Sequence, residues 1–493
     1  MFYRTWRCSC AHGLNDRPSG GERMISENRK FSLIPKRWPL WIARFGLAIA
    51  VVTVFAKATE SSPPIIPSNT PFFNGAGFAV TKSTNGSIDL SNAFFQSLGT
   101  NGRSCSTCHK IEEGWTITPE GVQARFDQTG GTDPIFRLND GSNSPNANVS
   151  TVEARRSAYN MLLSKGLIRV GIGIPGNAEF DLMSVDDPYQ FASAAELSLF
   201  RRPLPATNLK FLSTVMWDGR ETFMNKTIHF DLSDQANGAT QGHSQAPTPL
   251  TEAQRESIVD FETALFTAQA HDNTAKSLFA GGAKGGPENL SMQDFYIGVN
   301  DLFGDSLTHE PFNSIVFNIY DAWKGLHGAG VNDARAAVAR GQELFNSRTI
   351  TITGVSGIND EAVFGNAITV NGTCTTCHDT PNSGNHSVAA PLDIGVADAS
   401  RRTADMPLYT LRNKITGATI QTTDPGRALI TGKWKDIGRF KGPVLRGLAA
   451  RAPYFHNGSA KDLQAVIEFY VTRFRIGLTQ QEKNDLIAFL RTL

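Results

Sequence analysis

The sequence has almost no cysteine to spare. It holds six in 493 residues, and Cys8 and Cys10 lie in a leading segment set apart from the body. The other four belong to two Cys-x-x-Cys-His motifs, so no pair is left for a disulfide framework or to complete a four-ligand zinc site. Histidine is also scarce, with ten in all and none in residues 110–216, which excludes an imidazole ligand from that stretch. The apolar run at residues 45–56 is short of the roughly 20 residues that span a bilayer. Charge of one sign is missing too: beyond residue 58 the chain carries 37 basic and 43 acidic residues. That balance gives no reason to expect a nucleic-acid partner.

What is present at the start reads as an export signal. Residues 1–58 hold ten of the basic residues and three of the acidic ones. Lys36 and Arg37 precede the apolar run, and Ala56-Lys57-Ala58 follows it with small residues at cleavage spacing. The segment is expected to be cleaved after Ala58 or kept as an anchor, with Met24 as an alternative start. Either route places the body in the periplasm.

The two motifs are Cys105-Ser106-Thr107-Cys108-His109 and Cys374-Thr375-Thr376-Cys377-His378. Two thiols at this spacing can add to the two vinyl groups of one haem, and the adjacent imidazole then reaches the iron. Two complete motifs imply two covalent haems, on Cys105 and Cys108 with His109, and on Cys374 and Cys377 with His378.

Helical spacing of apolar residues predicts helices over 90–98 and 333–346, ahead of the two motifs, and over 460–473 and 478–493. Thr479 and Glu482 form a capping box at the start of the last. The glycine-rich stretch 325–330 marks a boundary, and residues 114–205, rich in Gly, Asn, Ser and Pro, read as a long loop insertion. The expected fold is mainly α: two cytochrome c-like helical domains with long loop insertions, at 59–330 and 331–493.

Three further segments resemble the bacterial di-haem cytochrome c peroxidase superfamily. They are Met216-Trp217-Asp218-Gly219-Arg220-Glu221, the run from Asp436 to Arg446, and Ala452-Pro453-Tyr454-Phe455-His456-Asn457-Gly458-Ser459. The resemblance implies that Trp217 lies between the haems and relays electrons. It also implies a sixth ligand to the second iron fourteen residues after His456. That position is Tyr470, where family peroxidases have Met, and His456 is the competing ligand. Calcium held by the carbonyls of Arg451 and Pro453 is a further implication of the resemblance.

Two departures from the peroxidase pattern favour the branches of the methylamine-dehydrogenase maturation enzyme and the di-haem rubber oxygenases. With no histidine in 110–216, the first haem is expected to be open. The distal Gln, Pro and Glu of the peroxidases are replaced by Thr227, Asp231 and Asn237. Asp231, His229, Asp234 and His243 are the nearby groups that could move protons, with Asp231 and His229 the leading pair. The implied partners are peroxide or dioxygen and an electron donor such as a small cytochrome or cupredoxin, or an organic or protein substrate. A di-haem electron carrier without chemistry of its own is the competing reading. Mass spectrometry of the mature protein is expected to show two haem additions, one of which disappears when Cys374 and Cys377 are replaced by Ala.

Overall fold

A computed structural model describes residues 64–493. The segment read as an export signal lies outside them. Among the described residues no helix is long and apolar enough to cross a membrane.

The secondary structure corrects the expectation of a mainly α fold: 31% is helix and 17% strand, in five small sheets. The largest sheet is antiparallel and joins Pro71–Asn74, Gly77–Ser83, Leu265–Asp272 and Lys276–Ser277. Leu265–Asp272 is buried on both faces almost throughout, and Phe266, Ala268 and Ala270 alternate along it with Thr267, Gln269 and His271, the period-two signal of a strand. A second sheet pairs Phe180–Asp186 with Leu408–Asn413, which in turn pairs with Thr419–Thr422. Partners more than 220 residues apart leave no local trace of a hairpin.

The stretch 114–205 is likewise more ordered than its composition suggests. It forms helices Pro119–Thr129, Val152–Ala158 and Asn160–Lys165, and a two-stranded sheet from Ile168–Ile172 and Leu197–Arg201. Thr118 and Thr151 accept hydrogen bonds from the Gly121 and Ala154 amides and so cap the first two helices. The helix anticipated over 90–98 is only a single turn of 3-10 helix, Ala93–Phe95.

The helices at the C-terminal end follow the sequence pattern. Val331–Ser347, Leu463–Phe474 and Gln480–Arg491 pack around Phe317, Tyr320, Phe345 and Phe489. Thr479 and Glu482 close a capping box at the last helix. The first and last of these helices cross at Gly341, where an added Cβ would sit 1.9 Å from the backbone oxygen of Asp485. Alanine is the better helix former by about 1 kcal/mol, but a clash with backbone cannot be relieved by turning a side chain. Gly341→Ala is therefore expected to destabilise the protein by about 1–3 kcal/mol in denaturant unfolding.

Candidate active site

Each Cys-x-x-Cys-His motif forms one 3-10 turn, Cys105–Thr107 and Cys374–Thr376. The turns are fixed alike: the Ser104 amide donates to Thr107 Oγ1 at 3.0 Å, and the Thr373 amide to Thr376 Oγ1 at 2.8 Å. None of the four cysteines is in a disulfide. Nδ1 of His109 is 3.0 Å from the Trp115 carbonyl, and Nδ1 of His378 is 2.6 Å from that of Gly384. A ring N–H given to a carbonyl leaves Nε2 unprotonated for a metal, as ligating histidines require. Burial lowers both imidazoles to about 4, so they are neutral at ordinary pH.

The motifs open onto two cavities. The second, of about 2100 Å³ with its mouth, is lined by Cys374, Cys377, His378, Tyr470, His456, Trp217 and a largely apolar wall. The first, of about 1430 Å³, is lined by Cys105, Cys108, His109, Met216, Trp217, His243 and Glu262. Trp217 lines both, as do Arg202, Lys441 and Arg451.

Those three cations test whether the residues suit haem. None is in an ion pair with a carboxylate among the described residues; Arg202 and Lys441 are buried and Arg451 is largely so. Burial lowers Arg202 and Arg451 to about 10 and Lys441 to about 7. Unpaired buried cations call for an anion, and the two propionates of each haem would supply it. Thiol pairs, oriented imidazoles, apolar walls and unpaired cations together fit two haems.

Trp217 is held firmly. Its Nε1 donates to the Arg202 carbonyl at 2.8 Å, and its own carbonyl accepts from the Lys441 amide at 2.9 Å. The next residue, Asp218, is fully buried against Arg201, with Arg220 at 3.2 Å, and these guanidinium groups hold its carboxyl down to about 2. Arg201 reaches onward to Asp424 at 2.7 and 2.9 Å. The indole lies 6.3 Å from the His456 ring.

Tyr470 and His456, the alternative ligands of the second iron, both face the cavity of His378. Burial, with Cys377 and Cys374 as electrostatic neighbours, pushes the Tyr470 phenol well above its usual range. His456 stacks on Phe440 at 3.9 Å. Both its ring nitrogens are buried without a hydrogen-bond partner, and burial brings it down to about 4.

The proton-moving groups are arranged differently from the expectation. His229 lies half-exposed, facing Glu256 at 3.2 Å. Asp231 is buried, but its carboxylate accepts from the Phe223 amide at 3.3 Å. Neither is in the wall of either haem-motif cavity, which the helix Ile228–Gly242 lines with Leu232, Gln235, Ala236, Ala239 and Thr240, beginning a turn beyond His229. His243, one residue past that helix, does line the first cavity, and its Nδ1 is hydrogen-bonded to Asp140, which also pairs with Arg103.

Glu262 is a residue the sequence reading missed. It sits on the buried face of Glu252–Thr263, four residues after Ile258, and burial raises it from 4.5 to about 8. An acidic residue in phase with the apolar face of an amphipathic helix was the available signal. At the calcium position, the Arg451 carbonyl accepts from Arg202 Nη2 at 3.2 Å. A guanidinium already on that oxygen does not suit a divalent cation there.

No family model matches the chain. A cytochrome-c peroxidase of Pseudomonas sp. (strain SCT) is 31% identical over 140 residues, 24% of this chain and 36% of its own length. One from Denitromonas iodatirespirans is 30% identical over 132 residues, covering 25% of this chain and 36% of the relative. A cytochrome c peroxidase of Escherichia coli is 37% identical over 76 residues, 15% and 16% of the two chains. The chain thus spans about a third or less of the curated relatives it matches. A MauG-like protein associated with microbial copper homeostasis, of known structure, aligns with 88% of this chain and 94% of its own. At 17% identity and a TM-score of 0.36 that likeness carries no argument. The site is of the c-type cytochrome class. The relatives carry the family name that the motifs suggested: over the matched stretch this chain is related to the bacterial di-haem cytochrome c peroxidases.

The Glu262 carboxyl gives a prediction of definite sign. With its folded value at about 8 and its reference value at 4.5, the native state holds the proton more tightly. Stability is then full below about 4.5 and falls as pH rises towards 8. Glu262→Gln is expected to flatten that decline in urea unfolding of the haem-loaded protein at pH 5 and pH 8.

Proposed function

We propose that the protein is an exported, periplasmic di-haem oxidoreductase of peroxidase type. In this reading residues 59–330 carry the reactive haem on His109, and residues 331–493 carry a six-coordinate haem on His378 and Tyr470. The observation that carries it is the placement of Trp217 in the walls of both cavities. The bound haems would supply the redox chemistry, with peroxide or dioxygen reduced at the first and electrons exchanged with the second.

The protein's own residues have separable tasks. His109 and His378, oriented by the Trp115 and Gly384 carbonyls, present neutral Nε2 atoms as ligands. Trp217 is a polarisable aromatic group fixed between the two sites, and Arg201, Asp218 and Asp424 keep its turn from moving. His243 donates Nδ1–H to Asp140, which leaves Nε2 free to take up and return a proton at the first cavity, the arrangement of a general acid–base. Glu262, neutral below about pH 8, is a second proton store in the same wall. The apolar lining of the second cavity keeps water from the Tyr470 phenol and so favours one fixed ligand over exchange.

Small donors are the natural electron source for a buried pair of redox sites. A small cytochrome or cupredoxin fits that role, and an organic or protein substrate would take its place in an oxidase mode.

Carbon monoxide added to the reduced protein is expected to bind one haem, and failure to bind at all would favour a pure electron carrier. His243→Ala is expected to lower peroxide turnover by roughly 10²–10⁴-fold with carbon monoxide binding retained. Trp217→Phe is expected to slow electron sharing between the haems while the first haem still takes ligands. Tyr470→Phe should alter the optical spectrum of the second haem alone. If His456→Ala does so instead, His456 is the ligand.

A further inference from the structure

Immediately after the second haem motif the chain turns back on itself and brings together three ligand-bearing side chains that the proposed reaction does not use. Asp379 is 0% exposed. Its Oδ1 accepts from the Ser387 amide at 2.6 Å, and its Oδ2 meets no donor at hydrogen-bond geometry, with the Ser387 side chain near the carboxyl. His386 places Nδ1 3.2 Å from the Ala390 carbonyl, so Nε2 is the free nitrogen, and it faces Asp379 Oδ2 at 3.6 Å. Asp301 arrives from a separate loop, which its Oδ1 holds by accepting from the Phe303 amide at 2.9 Å. One ligand atom from each of Asp301, Asp379 and His386 lies within 4.8 Å of the others.

A direct hydrogen bond between His386 and Asp379 would need a separation of about 3 Å. At 3.6 Å the pair is spread, and the carboxylate oxygen pays desolvation with no donor in return. The Oγ of Ser387 and the Oγ1 of Thr380, beside it in the chain, are buried without partners as well. An orphaned carboxylate oxygen, a free imidazole nitrogen and a second carboxylate converging on one point are what a cation resolves. It would stand between atoms that are too far apart to bond and too close to ignore one another.

We propose that Asp301, Asp379 and His386 form a binding site for a divalent transition-metal ion. Two oxygens and one imidazole nitrogen suit Zn²⁺ or Mn²⁺, whereas Ca²⁺ takes six to eight oxygens and has no use for the imidazole. Three protein ligands leave a coordination position for water. The second cluster of this composition, His229 with Glu256 and Asp260, is solvent-facing and has no orphaned buried atom. The site stands whether or not the haems react with peroxide: His386 also borders the cavity of His378, but none of the three residues has a part in that chemistry. Its position does give it a consequence: Asp379 adjoins His378, so an ion there would offset two carboxylates next to the second haem.

The test uses the haem-loaded protein, stripped with a chelator and titrated with Zn²⁺ alone. Calorimetry and elemental analysis are expected to show one zinc per chain in addition to the haem iron. Asp301→Asn and His386→Gln should each weaken Zn²⁺ binding by at least the roughly 10–100-fold that loss of even an outer-shell partner costs, with unchanged haem content and far-ultraviolet dichroism. Absence of zinc binding by the unaltered protein overturns the proposal. So does equal affinity in both variants, and Asp301, which comes from its own loop, makes that comparison possible even if changes at Asp379 disturb haem attachment.

Discussion

The structure turns on a fully buried guanidinium, Arg201, clamped between two buried carboxylates, Asp218 and Asp424. Two carboxylates and one guanidinium leave a negative charge over, which Arg220 at 3.2 Å from Asp218 offsets, and removing one partner of such a buried pair costs roughly 3–5 kcal/mol. The network ties three distant parts of the chain together: the strand Leu197–Arg201, the turn that carries Trp217, and the loop after Thr419–Thr422. Met216, with φ of 66°, and Gly219, at 70°, bend that turn through left-handed backbone. The indole is therefore presented by a strained loop that the charge network holds in place, and it is the one aromatic side chain common to the walls of both cavities.

Around that fixed point the two cavities differ in their walls. The cavity of His378 is largely apolar, with the partly buried Tyr470 and the buried His456 among its lining. The cavity of His109 has polar groups in its wall: His243 with its Asp140 partner, Arg220, Gln235 and the neutral acid Glu262. Peroxide chemistry needs protons delivered and a position left free, whereas electron storage needs neither. The contrast supports placing reaction at the first site and electron exchange at the second.

Much of the site could be read from sequence because covalent haem attachment has a short, contiguous signature. Two thiols and an imidazole must lie on one turn, so the spacing itself states the chemistry. Trp217, Tyr470 and His456, to which the family resemblance pointed, line the cavities, whereas Asp231 and His229 do not. Proximity in sequence to Trp217 is shared by all faces of the helix Ile228–Gly242, and only packing selects the face that turns to the cavity. Glu262 could have been noticed as an acid in phase with the apolar face of its helix, whereas Asp140 reaches the first cavity from a separate loop and no spacing reveals it.

The sequence by itself determined the haem-attachment turns, the tryptophan segment, and the helices at the C-terminal end, where apolar spacing and a capping box act within a few residues. Tertiary structure alone decided how the strands pair, since Phe180–Asp186 finds its partner in Leu408–Asn413, more than 220 residues on. It alone decided which acids are buried, which cations stand unpaired between the cavities, and that Asp301 meets Asp379 and His386. The physical reason is one of range. Turn geometry and helix capping act over three or four residues, whereas desolvation and charge pairing depend on what the rest of the chain brings into contact.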